Sequence, residues 1–548
     1  MAVRRVLLRP PTREPPPCHH GERESVVTVE TTDVVVIGSG FGGAIPAFHC
    51  AAAGARVVVL ERGPRLAAND LAQDMALGSY TRSIDAIIGD GMTVIAGNCV
   101  GGSSVVYFAA SLRTPGFVFD RRGRSGQRIW PSSLSRASLD PWYDRIESAL
   151  PVAQQDWSQV SYAGGVFAAA CKHAGRTCNP VPVAVDLERC TNCNWMLSGC
   201  VFDAKRSMLH NYLPAAESEG AEIRPLHEVQ LITPALTPGY RYRTTSLCYA
   251  DGAVPSTECI ESKVVVLSAG TVGTPIILQR SALLLGGVPA AVGRNLSGNG
   301  DRVSVAVTND DRVRDVLGLS RAPGVGYQAL PIGKAITAMT FDHLDGGLAE
   351  FERFSLQQIY FPAMTNILAA APGWWGTGKK EMRRRWRSWL TMLAMTEDEN
   401  EGTFGAPPPV GSFTRLAPAL ASGTMRYRPT ANTRRGWAVA DAELKSILER
   451  DGLSTVTPWH EEPAGVVTAH PLGSCRIGDD PSTSALNDHH ELRGHQGLFV
   501  TDGAAVPTAL CVNPSLTIAA LAERASTFVQ QRLAASGVDL RPVGTRLT

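Results

Sequence analysis

Charge of one sign is missing from this chain: 52 lysines and arginines stand against 51 aspartates and glutamates, which leaves +1 over 548 residues. That balance supplies no long-range field for a polyanion, so nucleic acid and an anionic membrane surface are not expected as partners. Long apolar runs are missing too, and no stretch of the sequence reaches the ~18 residues a membrane-spanning helix needs. Near the start, Leu7 and Leu8 run at once into Pro10, Pro11 and Pro15. That is too short an apolar region for an export signal, so residues 1–30 read as a mobile tail and the expected location is the cytoplasm. In that compartment the twelve cysteines are expected as thiols rather than as a disulfide framework. No repeat period recurs. What remains, 44% hydrophobic and 19% charged residues, is the composition of a globular protein long enough for several domains.

The most informative stretch is 33–61. An all-apolar strand at 34–37 runs into Gly38-x-Gly40-x-x-Gly43, a helix of small residues follows, and a second apolar strand at 57–60 ends on Glu61. Each part has a physical task in holding a dinucleotide. Gly38 permits the tight turn, Gly40 lets the backbone approach a pyrophosphate, and Gly43 lets helix and sheet pack closely. The helix N-terminus offers unpaired N–H groups and the positive end of its dipole to the diphosphate. Glu61, 18 residues past Gly43, is placed to accept from ribose hydroxyls. A glycine-rich turn in an unrelated α/β sheet would account for the glycines alone, but not for both strands and the acid.

Further signals of this kind cluster in two other regions. In 204–310 a helix is expected at 205–219, short strands near 223–232, and the apolar strand 264–267 leading into Ser-Ala-Gly-Thr-Val-Gly-Thr-Pro and a helix at 276–280. In 465–535 a strand precedes Thr501-Asp502-Gly503, and a long apolar helix spans 516–533. The economical reading is one cofactor domain assembled from 31–113, 204–310 and 465–535. A substrate domain from 114–203 and 311–464 would be inserted in it, with ligands bound where the two meet.

The C-terminal region also holds His470-Pro-Leu-Gly-Ser-Cys475 and Asn513-Pro514-Ser-Leu-Thr517. With the opening fingerprint and Gly97-x-x-x-Gly101-Gly102-Ser103, the chain resembles the glucose–methanol–choline (GMC) flavoprotein oxidoreductases. Val105-Val106-Tyr107 and the segment 393–404 make it most similar to the cholesterol oxidase branch. The resemblance spans most of 33–535 and is weakest over 311–390. It implies an α/β fold (α+β overall): a Rossmann-like FAD-binding domain of discontinuous segments with an inserted mixed-sheet substrate domain. It also implies bound FAD and oxidation of an alcohol to a carbonyl. By position, the cofactor-binding residues it implies are Gly38, Gly40, Phe41, Gly42 and Gly43 in the diphosphate loop, Glu61 at the ribose, and Gly97, Gly101, Gly102 and Ser103 along the flavin. Val229 is implied at the adenine, Ala269 and Gly270 at a further turn, and Asp502 and Gly503 at the ribityl and diphosphate. Asn513, Pro514 and Thr517 complete the set. His470 and Asn513 match the active-site pair facing the flavin, and Tyr107 is a candidate substrate contact. Some members attach FAD through a histidine after the glycine cluster; Val105, Val106 and Tyr107 stand there, so non-covalent FAD is expected.

These residue types suit the chemistry. Alcohol oxidation sends a hydride to flavin N5 and a proton to a base; the flavin carries the electrons, and the protein orients the C–H bond and handles the proton. A neutral imidazole at His470 can take that proton, and Asn513 can orient the oxygen without titrating. The plainer readings are a buried histidine satisfied by backbone and an asparagine capping the next helix. The expected partners are a bulky apolar alcohol, sterol-like or from secondary metabolism, and O2 or another electron acceptor. The alternatives are a desaturase or oxidative cyclase on a polycyclic metabolite, and an FAD-binding protein without turnover.

Several weaker signals remain. Cys190-x-x-Cys193 with Cys200 resembles a cysteine-rich segment of some relatives, but Met196 replaces one cysteine, so a thiol pair or disulfide is preferred to an iron–sulfur or zinc site. The stretch 379–393 reads as a basic amphipathic helix; transient membrane contact and a core-covering helix are its two readings. His489, His490 and His495 read as a surface turn, and no metal is assigned. Sterol members also use a glutamate to shift a double bond, and neither Glu350 nor Glu352 aligns to that role.

Overall fold

The computed structural model describes residues 29–71, 82–193, 195–249, 254–307, 333–360, 389–410, 424–458 and 465–542. Residues 1–28 of the N-terminal tail and 379–388 of the basic amphipathic stretch lie outside them. Strands that are apolar on both faces must be covered on both faces, which is the condition of a parallel sheet interior. Glu30–Ile37 and Val57–Leu60 meet it: the last six residues of the first and all four of the second are buried. They belong to a seven-stranded sheet. Glu222–Arg224, Val57–Leu60, Glu30–Ile37, Ser256–Leu267 and Leu498–Val500 pair parallel in that order, so their carboxyl ends line one edge. The first half of Ser256–Leu267 runs out beyond this core and pairs antiparallel with Tyr242–Cys248, which pairs antiparallel with His227–Pro234, forming an arm.

The helix Phe41–Ala52 buries ten of its twelve residues. Small side chains let it lie close to the sheet, and the C-terminal helix Ser515–Ala535 packs across it. Glu523 of that helix binds His49 through Oε2 at 2.8 Å and accepts from the Tyr212 hydroxyl at 2.6 Å. The helix after the third strand begins at Gly270 and runs to Ser281, earlier than the sequence reading had it. The helix expected over 205–219 is shorter: only Tyr212–Ser218 is α-helical, after a 3-10 turn at Met208–His210. The reason lies at Lys205, whose ammonium is drawn into the core and holds that segment extended.

A second sheet of six strands faces the carboxyl-end edge, in the order Ser454–Pro458, Asp301–Val307, Trp389–Thr396, Phe354–Ile359, Ile336–Thr340, Asn179–Pro180. Its five pairings are all antiparallel, more uniform than the mixed sheet expected there. The helical reading of 379–393 fails where the structure describes it. Trp389–Thr396 is a strand, and its residues from Leu390 onward are buried because strands flank it on both sides. Two small sheets close the gap between the large ones. Val466–Thr468 pairs with Met92–Gly97, and Leu472–Ser474 pairs with Arg294–Ser297. His470 is suspended between these two short strands. Among the other histidines, His490 is not at the surface: it is buried, its Nδ1 lies 3.1 Å from the Val500 carbonyl, and burial drives its pKa down to about 3. All eleven described cysteines are thiols.

Candidate active site

The carboxyl ends of the parallel strands converge on a crevice whose walls are mostly backbone. Gly38 has φ +93°, and a Cβ there would stand 2.2 Å from the Ser268 carbonyl oxygen of the neighbouring strand exit. A Cβ on Gly42 would meet the Thr501 oxygen at 2.5 Å, and one on Gly43 the Gly38 oxygen at 1.9 Å. Gly40 is different. The space its Cβ would enter holds no heavy atom within 4 Å, and the helix behind it has no side-chain cap and no acidic residue in its first turn. Unpaired N–H groups at a helix N-terminus facing open space form an anion seat, so the residues present fit a dinucleotide diphosphate.

Glu61 sits beside this seat. Its Oε2 accepts from Ser39 N at 3.0 Å and Ser39 Oγ at 2.6 Å, and its Oε1 accepts from Gly63 N at 2.8 Å. Burial raises its pKa against these bonds, while Oε1, which accepts one bond, keeps a lone pair for a ribose hydroxyl. Ser39 was not singled out in the sequence, yet its Oγ also accepts from Gly101 N at 2.9 Å and so ties the glycine cluster to the fingerprint loop. That cluster folds tightly. A Cβ on Gly97 would lie 2.5 Å from the Gly102 oxygen and one on Gly102 2.9 Å from Gly40 Cα, and Ser103 Oγ accepts from Gly97 N at 2.9 Å. Val229 is buried in the strand whose first residue, His227, donates its N–H to the Glu61 carbonyl at 2.8 Å.

On the other side of the crevice, Asp502 gathers two chain turns. Its Oδ2 accepts from Gly270 N at 2.7 Å and Thr274 Oγ1 at 2.6 Å, and its Oδ1 accepts from Ala504 N at 2.9 Å. Burial nevertheless pushes its carboxyl up to about 6. Ala269 precedes Gly270 at the open helix start, and a Cβ on Gly503 would lie 3.1 Å from the Pro471 oxygen, which brings the His470 turn against this corner.

His470 and Asn513, 43 residues apart, meet here, with Asn513 Nδ2 3.3 Å from His470 Nε2. His470 Nδ1 lies 2.8 Å from Asp301 Oδ2. A carboxylate can only accept, so the Nδ1 proton points at Asp301 and Nε2 carries the lone pair. Thr468 Oγ1 donates to the same Asp301 oxygen at 2.8 Å and accepts from His470 N at 2.8 Å, fixing the turn. Asn513 is fixed in its turn: Oδ1 accepts from Gln357 Nε2 at 2.9 Å, which leaves the amide nitrogen toward the imidazole. The C-terminal helix has no side-chain cap, so Asn513 is not its N-cap.

Two candidates are otherwise occupied. The Tyr107 hydroxyl donates to the Arg206 carbonyl at 2.6 Å, and its ring meets Phe41 edge-on at 5.4 Å, so it braces the fingerprint helix rather than offering its hydroxyl to a substrate. The Thr517 hydroxyl is buried in bonds to Thr114 Oγ1 at 2.7 Å and Tyr143 at 2.8 Å, so only the Thr517 backbone is left for a ligand. Pro514 opens the C-terminal helix directly after Asn513. Asp301 and Gln357, which the sequence did not single out, hold this pair, and Lys205 ties down the segment after the glycine cluster. Lys205 Nζ donates to the carbonyls of Val105 at 2.6 Å, Tyr107 at 2.9 Å and Met196 at 2.5 Å, and burial pulls its ammonium down to about 7.

Residues 31–299 match the N-terminal family model described as GMC oxidoreductase, and residues 423–522 match its C-terminal counterpart. A cholesterol oxidase of Mycobacterium tuberculosis is 27% identical over 556 residues, covering 90% of both chains. A long-chain-alcohol oxidase of Arabidopsis thaliana is 25% identical, covering 89% of this chain and 65% of its own. The solved structure of pyridoxine 4-oxidase from Mesorbium loti superposes with a TM-score of 0.62 at 16% identity, covering 91% of this chain and 99% of that one. At that identity the likeness concerns the fold alone.

Proposed function

The chain belongs to the GMC oxidoreductase family, an FAD-dependent enzyme acting on CH–OH groups, and from that premise we propose that it oxidises a bulky apolar alcohol to a carbonyl with His470 and Asn513 at the reacting carbon. The observation that carries this reading is the directed hydrogen-bond series Gln357, Asn513, His470, Asp301 at the mouth of the crevice. FAD supplies the hydride acceptor when bound. Gly40 and the helix N-terminus behind it would hold its diphosphate, Glu61 its ribose, and the 97–103 segment would pass along its ring system. No histidine stands in the 105–107 segment, so the attachment is proposed to be non-covalent.

Within that frame the protein's own part is orientation and proton handling. Asp301 holds the imidazole as the Nδ1–H tautomer, so Nε2 is the acceptor for the substrate hydroxyl proton. Asn513, oriented by Gln357, presents an N–H to the alcohol oxygen. The side chain that meets Asn513 from the substrate-side sheet is the neutral Gln357, while Glu350 is exposed and Glu352 half-buried on a separate turn. The cofactor unit is proposed to end near residue 300, because Asp301–Val307 already belongs to the substrate-side sheet.

The test is an anaerobic visible titration of the purified flavoprotein with a sterol and a panel of bulky alcohols, followed by product analysis. Bleaching with formation of a new carbonyl supports the proposal. A new C–C or C=C bond without a carbonyl would replace it with the cyclase or desaturase reading.

A further inference from the structure

Away from the crevice mouth, three side chains of metal-ligand type converge on the antiparallel arm. His227 pairs directly with Cys248 across the two strands, and Glu258 on the third strand pairs with Ser246, two residues back from Cys248. Because side chains alternate along a strand and directly paired residues share a face, all three project from one side of the sheet. One imidazole nitrogen, the Cys248 sulfur and one Glu258 oxygen lie within 4.8 Å of one another. Tetrahedral zinc holds such atoms roughly 3.3–3.6 Å apart, a contraction that side-chain rotation supplies.

The imidazole is already aimed. Its Nδ1 lies 2.8 Å from the Pro225 carbonyl, which can only accept, so the ring proton sits there. Nε2 faces Glu258 Oε2 at 3.1 Å. That contact is bridged either by a second imidazole proton, as an ion pair, or by a metal ion in the proton's place. With a sulfur in the same place, the donor set is that of a borderline-soft divalent ion.

We propose that His227, Cys248 and Glu258 bind one zinc ion, with water in the fourth position on the open side of Glu258, whose side chain is 38% exposed. The ion would cross-link all three strands of the arm.

The purified flavoprotein is dialysed against zinc and then against metal-free buffer, and its zinc content and Tm are measured with and without a chelator. About one zinc per chain should be retained, and chelation should lower Tm. Retention should fall at least roughly tenfold in Cys248→Ser and His227→Gln, and be unchanged in Cys193→Ser. Glu258→Gln, at a half-exposed position, should lower retention with flavin content and alcohol oxidation unchanged, which separates loss of the ion from loss of folding. Absence of retained zinc in the unmodified protein, or zinc lost in Cys193→Ser and kept in Cys248→Ser, would overturn the proposal.

Discussion

In the cofactor crevice, backbone does nearly all the work, whereas across from it the candidate catalytic groups are held side chain to side chain. Gly38, Gly42 and Gly43 are fixed by neighbouring carbonyls a few ångströms away. His470, Asn513, Asp301 and Gln357 are held by one another and by Thr468. The two plans fail differently: a change in the first region removes the space the cofactor needs, while a change in the second leaves the cofactor in place and alters the chemistry.

The largest effect should come from Gly43→Ala. Its Cβ would overlap the Gly38 backbone oxygen at 1.9 Å, so the purified protein is expected to carry no bound flavin, read by its visible absorbance. Next, His470→Ala should keep flavin at the wild-type ratio and lose roughly 10²–10⁴-fold in kcat, the usual worth of a positioned acid–base group. Together these two variants break or sustain the comparison, because flavin content separates the regions cleanly.

Asp301→Asn sharpens it. An amide N–H toward Nδ1 would move the ring proton to Nε2 and leave no acceptor for the hydroxyl proton, so kcat should fall roughly 10²-fold with flavin retained. Gln357→Leu removes only the bond that orients Asn513, and a loss of roughly 3–10-fold in kcat/KM is expected. The smallest effect belongs to the crevice side and is read in stability. Burial raises Asp502 to about 6, so between about pH 4 and 6 the native chain keeps a proton that the unfolded chain has released. The contribution of this group is therefore full below about pH 4 and lost as pH rises through about 6. Urea unfolding at pH 4.5 and 7 should show that decline in the wild type and a flatter response in Asp502→Asn.

The same contrast explains what could be read in advance. The crevice was legible because each of its constraints is local: a strand, a turn that only glycine tolerates, a helix start and an acid 18 residues on. His470 and Asn513 were legible through their flanking motifs. Asp301 was not, since it stands 169 residues from the histidine it holds, and the strand it opens carries no pattern that points to it. Gln357 is similarly distant, 156 residues from Asn513. Lys205 followed a cysteine-rich segment that drew attention to thiols, while its ammonium was satisfying three carbonyls and undoing the first half of an expected helix. Residues 389–393 were misread because Trp389, Leu390 and Leu393 continue a helical spacing from Met382 and Trp386, whereas they open a strand flanked on both sides.

The most direct test of the account is the rate at which bound flavin is reduced, anaerobically and under saturating alcohol, in the wild type and in His470→Ala at equal flavin content. Reduction slowed by roughly 10²-fold or more in the variant is expected. Equal rates would contradict the placement of His470 at the reacting carbon.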